Sequence, residues 1–102
     1  MRRPRLEQVF SRSTRLVGRR IGERYVLVPV VGQGADLDSV LDLDRVSAFV
    51  WDELQEPRTG ASIVDALVER FEVERERAES DISSLLGALV AADAVVAGGG
   101  RR

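Results

Sequence analysis

The 102-residue sequence predicts an α+β domain, a three-stranded antiparallel sheet followed by a three-helix bundle. Two observations carry that expectation. The apolar pattern runs with a strand-like period of two up to Leu43 and with a helical period of 3.6 from Val46 onward. Between them stands Asp44, a residue that ends a strand and accepts hydrogen bonds from the free amides of a following helical turn.

Residues 1–12 have weak periodicity and several polar side chains, and are expected as a flexible basic arm. Leu6, Val9 and Phe10 offer it one apolar contact or a short helical turn. Arg15 to Ile21 reads as the first strand, and Gly22-Glu23 as a tight turn, since glycine accepts the positive φ that short hairpins need. Tyr25 to Val31, rich in β-branched residues, is the clearest strand; Pro29 cannot donate to a ladder and belongs near its end. Residues 32–36 form a loop, and 38–43 the third strand.

The first helix is expected over Arg45–Leu54, with Val46, Phe49, Val50 and Leu54 on its apolar face and Trp51 beside them in the core. Pro57 closes it, because proline disfavours helical geometry in the residue before it. Thr59 caps the second helix, whose stripe is Ile63, Val64, Leu67, Val68 and Phe71. The third covers Glu74–Ala92 and buries Ala78, Ile82, Leu85, Leu86, Leu89 and Val90. Val95 and Val96 add a last apolar contact, and residues 98–102 form a flexible tail around a core domain of 13–97. Three strands followed by three helices make a winged helix-turn-helix-like arrangement. As a meander, its first and third strands are edges with unpaired amides and carbonyls.

Composition excludes several functions. There is no cysteine and no histidine, so thiolate catalysis, iron–sulfur ligation and the commonest general base and metal ligand are removed together. No apolar run reaches the roughly 18 residues that a membrane span needs. The basic start lacks the apolar stretch of a secretory signal, so a cytoplasmic location is expected. Charge is uneven: residues 1–24 carry eight arginines against two acids, the remainder seven against fifteen. This is either a solvated basic arm or an end that meets an acidic surface, and charge alone does not choose.

The run from Val40 through Trp51 resembles the strand-to-helix join of the PqqD-like family, the small RiPP recognition elements. The resemblance extends over Ser11 to Val96, through Glu23 to Pro29, Ala48 to Leu54, Arg58-Thr59, Ile63 to Phe71 and Ala78 to Ile82. It departs where Asp44 and Glu56-Pro57 stand in place of the family's usual Asn and Asp-Gly, and where the last helix lacks its usual glycine. The resemblance implies a non-catalytic chaperone that holds the leader of a ribosomally made precursor peptide for a modifying enzyme, of the radical S-adenosylmethionine type as in the family. Cluster and nucleotide would then belong to that enzyme, and this chain would need no cofactor. The leader would add as a strand beside Ser39, Val40, Leu41, Asp42 and Leu43, with its side chains entering a groove toward the third helix. There Glu74 and Asp81 would select a basic or amide-bearing residue, and Ala78, Ile82 and Leu85 an apolar one. Read without the resemblance, Ile82 and Leu85 are core residues and Asp81 a solvated or capping acid.

The competing function is a winged-helix DNA-binding regulator. It needs a basic recognition helix, whereas the third helix opens with Glu74, Glu76, Glu79 and Asp81. Neither nucleic acid nor membrane is therefore expected as a partner. The identity of the peptide and the oligomeric state are left open by the sequence.

Overall fold

The computed structural model describes residues 5–30 and 40–98. The chain order is β1 (Val9–Arg12), β2 (Leu16–Ile21), β3 (Arg24–Pro29), β4 (Leu41–Leu43), α1 (Arg45–Glu53), β5 (Arg58–Thr59), α2 (Gly60–Phe71), α3 (Arg75–Ala91) and β6 (Val95–Ala97). The expected meander is present as a sheet of order β2-β3-β4, antiparallel throughout. Its third strand begins at Leu41 rather than 38, and residues 38 and 39 lie outside the described chain.

A second three-stranded sheet, of order β5-β1-β6, was not expected. Residues 9–12, read from sequence as part of a loose arm, form its central strand: Phe10 faces Arg58 on one side and Ala97 on the other. Phe10 is wholly buried in the core. The arm also completes α2. Its first amides, which have no intrahelical acceptor, donate to main-chain carbonyls of the arm: Gly60 N to Gln8 O at 3.1 Å and Ala61 N to Leu6 O at 2.8 Å. Gly60 suits this close approach, because a Cβ would lie 3.2 Å from the Leu6 backbone and the arm would have to shift to admit it. Val95 and Val96, expected only as an apolar contact, supply the third strand.

The helices follow their sequence signals. Asp44 caps α1, accepting from Ser47 N at 2.8 Å, and Thr59 caps α2, accepting from Ser62 N at 3.1 Å. Glu74 precedes α3 without capping it through its side chain. The bond from Ser47 lowers the Asp44 pKa below the ordinary carboxylate value. A carboxyl depressed by folding contributes stability above its unfolded pKa and loses it as pH falls through the folded one. Asp44→Asn keeps an acceptor but cannot titrate. It is expected to weaken the acid-side fall in stability, as measured by urea denaturation between pH 5 and pH 2.5.

Trp51, Phe10, Leu27, Leu54, Ile63, Ile82 and Leu86 fill a core shared by the helices and both sheets. Trp51 is held by Arg12. The guanidinium lies 4.4 Å from the ring centroid and donates to the Trp51 carbonyl through Nη2 at 2.6 Å and Nε at 3.1 Å. A cation at the last turn of a helix is also favoured by the exposed carbonyls there. The indole Nε1, by contrast, is buried without a hydrogen-bond partner among the described residues. It sits over Gly18, where an added Cβ would fall 2.9 Å from it and 2.2 Å from the Tyr25 hydroxyl. Gly18→Ala is therefore expected to cost about 1–3 kcal/mol by overpacking, read from a lowered urea midpoint. Tyr25→Phe in the same chain is expected to recover part of the loss.

Candidate functional site

Strand β4 is the terminal strand of its sheet. Tyr25, Val26 and Leu27 of β3 face Leu43, Asp42 and Leu41, and no described strand pairs with its outer side. The alternation is that of a half-covered strand: Leu41 and Leu43 rest half-buried on the core, whereas Asp42 is exposed. The described end segments do not pair with this margin. The segment before β2 and the segment after α3 pair with each other in the second sheet, through Phe10–Ala97, Ser11–Val96 and Arg12–Val95.

Val40, directly before β4, is exposed, and Ser39 lies outside the described residues. Asp42 is already engaged: Arg24 donates to Oδ1 at 3.0 Å from Nε and to both carboxylate oxygens at 2.7 Å from Nη2. Both side chains are well exposed, so this fork contributes roughly 0–1 kcal/mol. The register could have signalled it, since Arg24 lies two residues from Val26, the partner of Asp42, and so on the same face.

On α3 the expected residues separate by helical face. Glu74 and Asp81 are exposed and line one shallow surface groove with Val73 and Arg77. Arg77 Nε donates to Asp81 at 3.3 Å, an i,i+4 pair that the sequence spacing already contained. Leu85 is half-buried against the core. Ala78 and Ile82 do not reach a surface: both are 0% exposed, on the stripe they share with Leu86 and Leu89. They were expected to touch a ligand and are instead core, because the face of α3 that carries them is buried against the body of the protein. They can shape a groove wall only from behind. The main neighbours of β4 are β3 and α1, while those of α3 are α2 and β6. The strand group and the helix group therefore belong to different packing layers, joined through the common core.

No group of potential metal ligands occurs among the described residues, and no described helix is long and apolar enough to cross a membrane. Arg58 pairs with Glu53 of α1 and donates to Ser62 Oγ at 3.1 Å, fastening the α1–α2 connection.

Known proteins with this architecture give the arrangement a context. A structure of TbiB1 in complex with the TbiA(beta) leader peptide superposes with a TM-score of 0.70 at 26% sequence identity, covering 90% of this chain and 98% of TbiB1. No curated protein matches the sequence. The family model for coenzyme PQQ synthesis protein D (PqqD) matches residues 24–95, from the start of β3 to the first residue of β6. The chain belongs to the PqqD family.

Proposed function

We propose that this protein is a RiPP recognition element that binds the leader of a ribosomally made precursor peptide by strand addition to β4. The observation that carries the reading is the outer margin of β4, with which no described strand pairs while the described end segments pair with each other elsewhere. An exposed strand edge is a template for an extended chain, and main-chain pairing provides affinity that does not depend on side-chain identity. Membership in the PqqD family and the likeness to a leader-bound protein support it.

Selectivity would come from the side chains that flank the edge. Asp42 can exchange Arg24 for a basic leader residue, at small cost because the existing pair is solvated. Glu74 and Asp81 offer a second acidic site in their groove, and half-buried Leu41 and Leu43 on β4 and Leu85 on α3 offer separate apolar contacts. The protein would act without catalysis in the cytoplasm, presenting the peptide to a separate modifying enzyme, of the radical S-adenosylmethionine type. Exposed Glu74, Glu76, Glu79 and Asp81 along the start of α3 oppose its entry into a DNA groove.

The test is an amide-resolved NMR titration with leader peptides encoded beside the gene. Shifts are expected to concentrate in residues 40–43 and 74–86. Saturable binding with shifts confined to other surfaces would overturn the site, and absence of binding to any adjacent leader would overturn the function.

A further inference from the structure

A second surface lies at the hairpin end of the β2-β3-β4 sheet, where α1 and the end of α2 cover its inner side. Two adjoining clefts meet there and share Arg20, Tyr25, Arg45 and Ala48. Their floor is aromatic: Phe49 and Phe71 meet edge-on, with centroids 5.4 Å apart. Three guanidinium groups rest on Tyr25 and Phe71. Arg20 lies 5.9 Å from the Tyr25 centroid, while Arg45 and Arg70 lie 5.6 and 5.3 Å from that of Phe71.

None of the three arginines has a carboxylate partner among the described residues, although the whole chain carries seventeen acids. The nearby acids are committed elsewhere. Asp42 is forked by Arg24, Asp44 caps α1, and Asp52 accepts from Gln55 Nε2 at 2.8 Å. Two like charges on one ring, with a third beside them, repel each other, and an anion between them relieves that repulsion. Guanidinium forks on aromatic faces are pre-set for carboxylates, since the planar group keeps its donors free while its face is stacked.

We propose that this Arg20–Arg45–Arg70 groove docks a carboxylate-bearing segment of the protein that modifies the bound peptide. The inference rests on the leader-binding reading but concerns a different surface. The groove opens at the end of the sheet, bounded by the β2–β3 hairpin and α1, whereas the leader would lie along the outer side of β4. One cleft borders Asp42 and Leu43 of β4. The other, lined by Arg20, Arg45, Arg70 and Phe71, holds no β4 residue, so a leader paired with β4 leaves that part open for simultaneous contact with an enzyme. Charge complementarity selects an acidic polypeptide over nucleic acid. Glu23, Asp42, Asp44 and Asp52 rim the clefts, so one or two carboxylates fit where a continuous phosphate chain is repelled.

The experiment has two arms on the full chain. In the first, acetyl-Glu-Asp-Phe-Asp-Glu-amide and its Gln/Asn counterpart are titrated while backbone amides and arginine Nε–H signals are followed. Shifts from the acidic peptide at Arg20, Arg45, Arg70 and Phe71, lost in high salt and absent with the neutral peptide, are expected. Equal responses to both peptides, or a response to an oligothymidine in place of the acidic peptide, would overturn the proposal. In the second arm, the peptide-modifying enzyme encoded beside the gene is titrated onto the leader-saturated protein. The combined Arg20→Gln, Arg45→Gln, Arg70→Gln variant is expected to weaken the enzyme about tenfold and to leave leader affinity unchanged. Unchanged enzyme affinity, or an equal loss of leader affinity, would overturn it. Because all three side chains are exposed, retention of the wild-type amide spectrum checks the variant's fold. Should no leader bind β4 while the acidic peptide still marks the groove, the leader reading fails and the docking chemistry stands.

Discussion

Phe10→Ala is expected to cost about 3–5 kcal/mol of folding stability, the usual penalty for emptying a fully buried phenylalanine site. Small domains are stable by about 5–15 kcal/mol, so this single change removes a large share of the total. The physical reason is the double role of β1. Its side chain fills the core, and its backbone is the centre of a sheet whose other members, β5 and β6, are not neighbours of each other. Removing residues 1–12 takes away more still: the carbonyls of Leu6 and Gln8 that receive the first amides of α2, and the Arg12 guanidinium on Trp51. That truncation is expected to yield an unfolded or aggregating chain. Urea denaturation of Phe10→Ala and the amide spectrum of the truncated chain check both expectations. A cooperative, near-wild-type transition in either would show that β1 is dispensable.

A leader peptide N-methylated at alternate residues of its pairing segment is expected to lose roughly 100-fold in affinity. Each methyl removes one main-chain donor and intrudes on the strand beside it. A net contribution of about 0.5–1.5 kcal/mol per hydrogen bond accumulates to this loss over two or three positions. Side-chain substitutions in the same peptide are expected to cost less individually, because the outward-facing group at the centre of β4, Asp42, is solvated. Shifting the methyl pattern by one residue moves the blocked amides to the other side of the peptide strand and is expected to restore most of the affinity. Calorimetric titration of the two methylated series against the full chain measures the contrast. Equal tolerance of both patterns would rule out strand addition and leave only side-chain recognition.

The candidate site was legible unequally. Leu41, Asp42 and Leu43 could be assigned to an edge strand because apolar–polar alternation and the Asp44 cap fix both register and end. Glu74 and Asp81 could be placed on an exposed helical face for the same reason. Periodicity placed Ala78 and Ile82 on the buried stripe of the third helix, where the structure has them, and it was the resemblance that implied a ligand contact for them. An apolar residue on an amphipathic helix faces either the core or a groove beside it, and periodicity gives the face without saying what covers it. Arg20, Arg45 and Arg70 escaped notice altogether. Each is 25 residues from the next along the chain, and nothing local shows that they converge on Tyr25 and Phe71.

Sequence alone determined what depends on neighbours a few residues away: the β2-β3-β4 meander, the three helices, and the caps at Asp44 and Thr59. These follow from side-chain period, turn chemistry and cap hydrogen bonds, all of which act within one or two turns. Only tertiary structure decided the fate of Val9–Arg12 and Val95–Ala97. Strands of four and three residues carry too little pattern to announce themselves, and they exist because each supplies the other's missing hydrogen-bond partners across more than 80 residues of chain. Their pairing also keeps both described end segments off β4: with Val9–Arg12 and Val95–Ala97 held in a second sheet, no described strand pairs with its outer side.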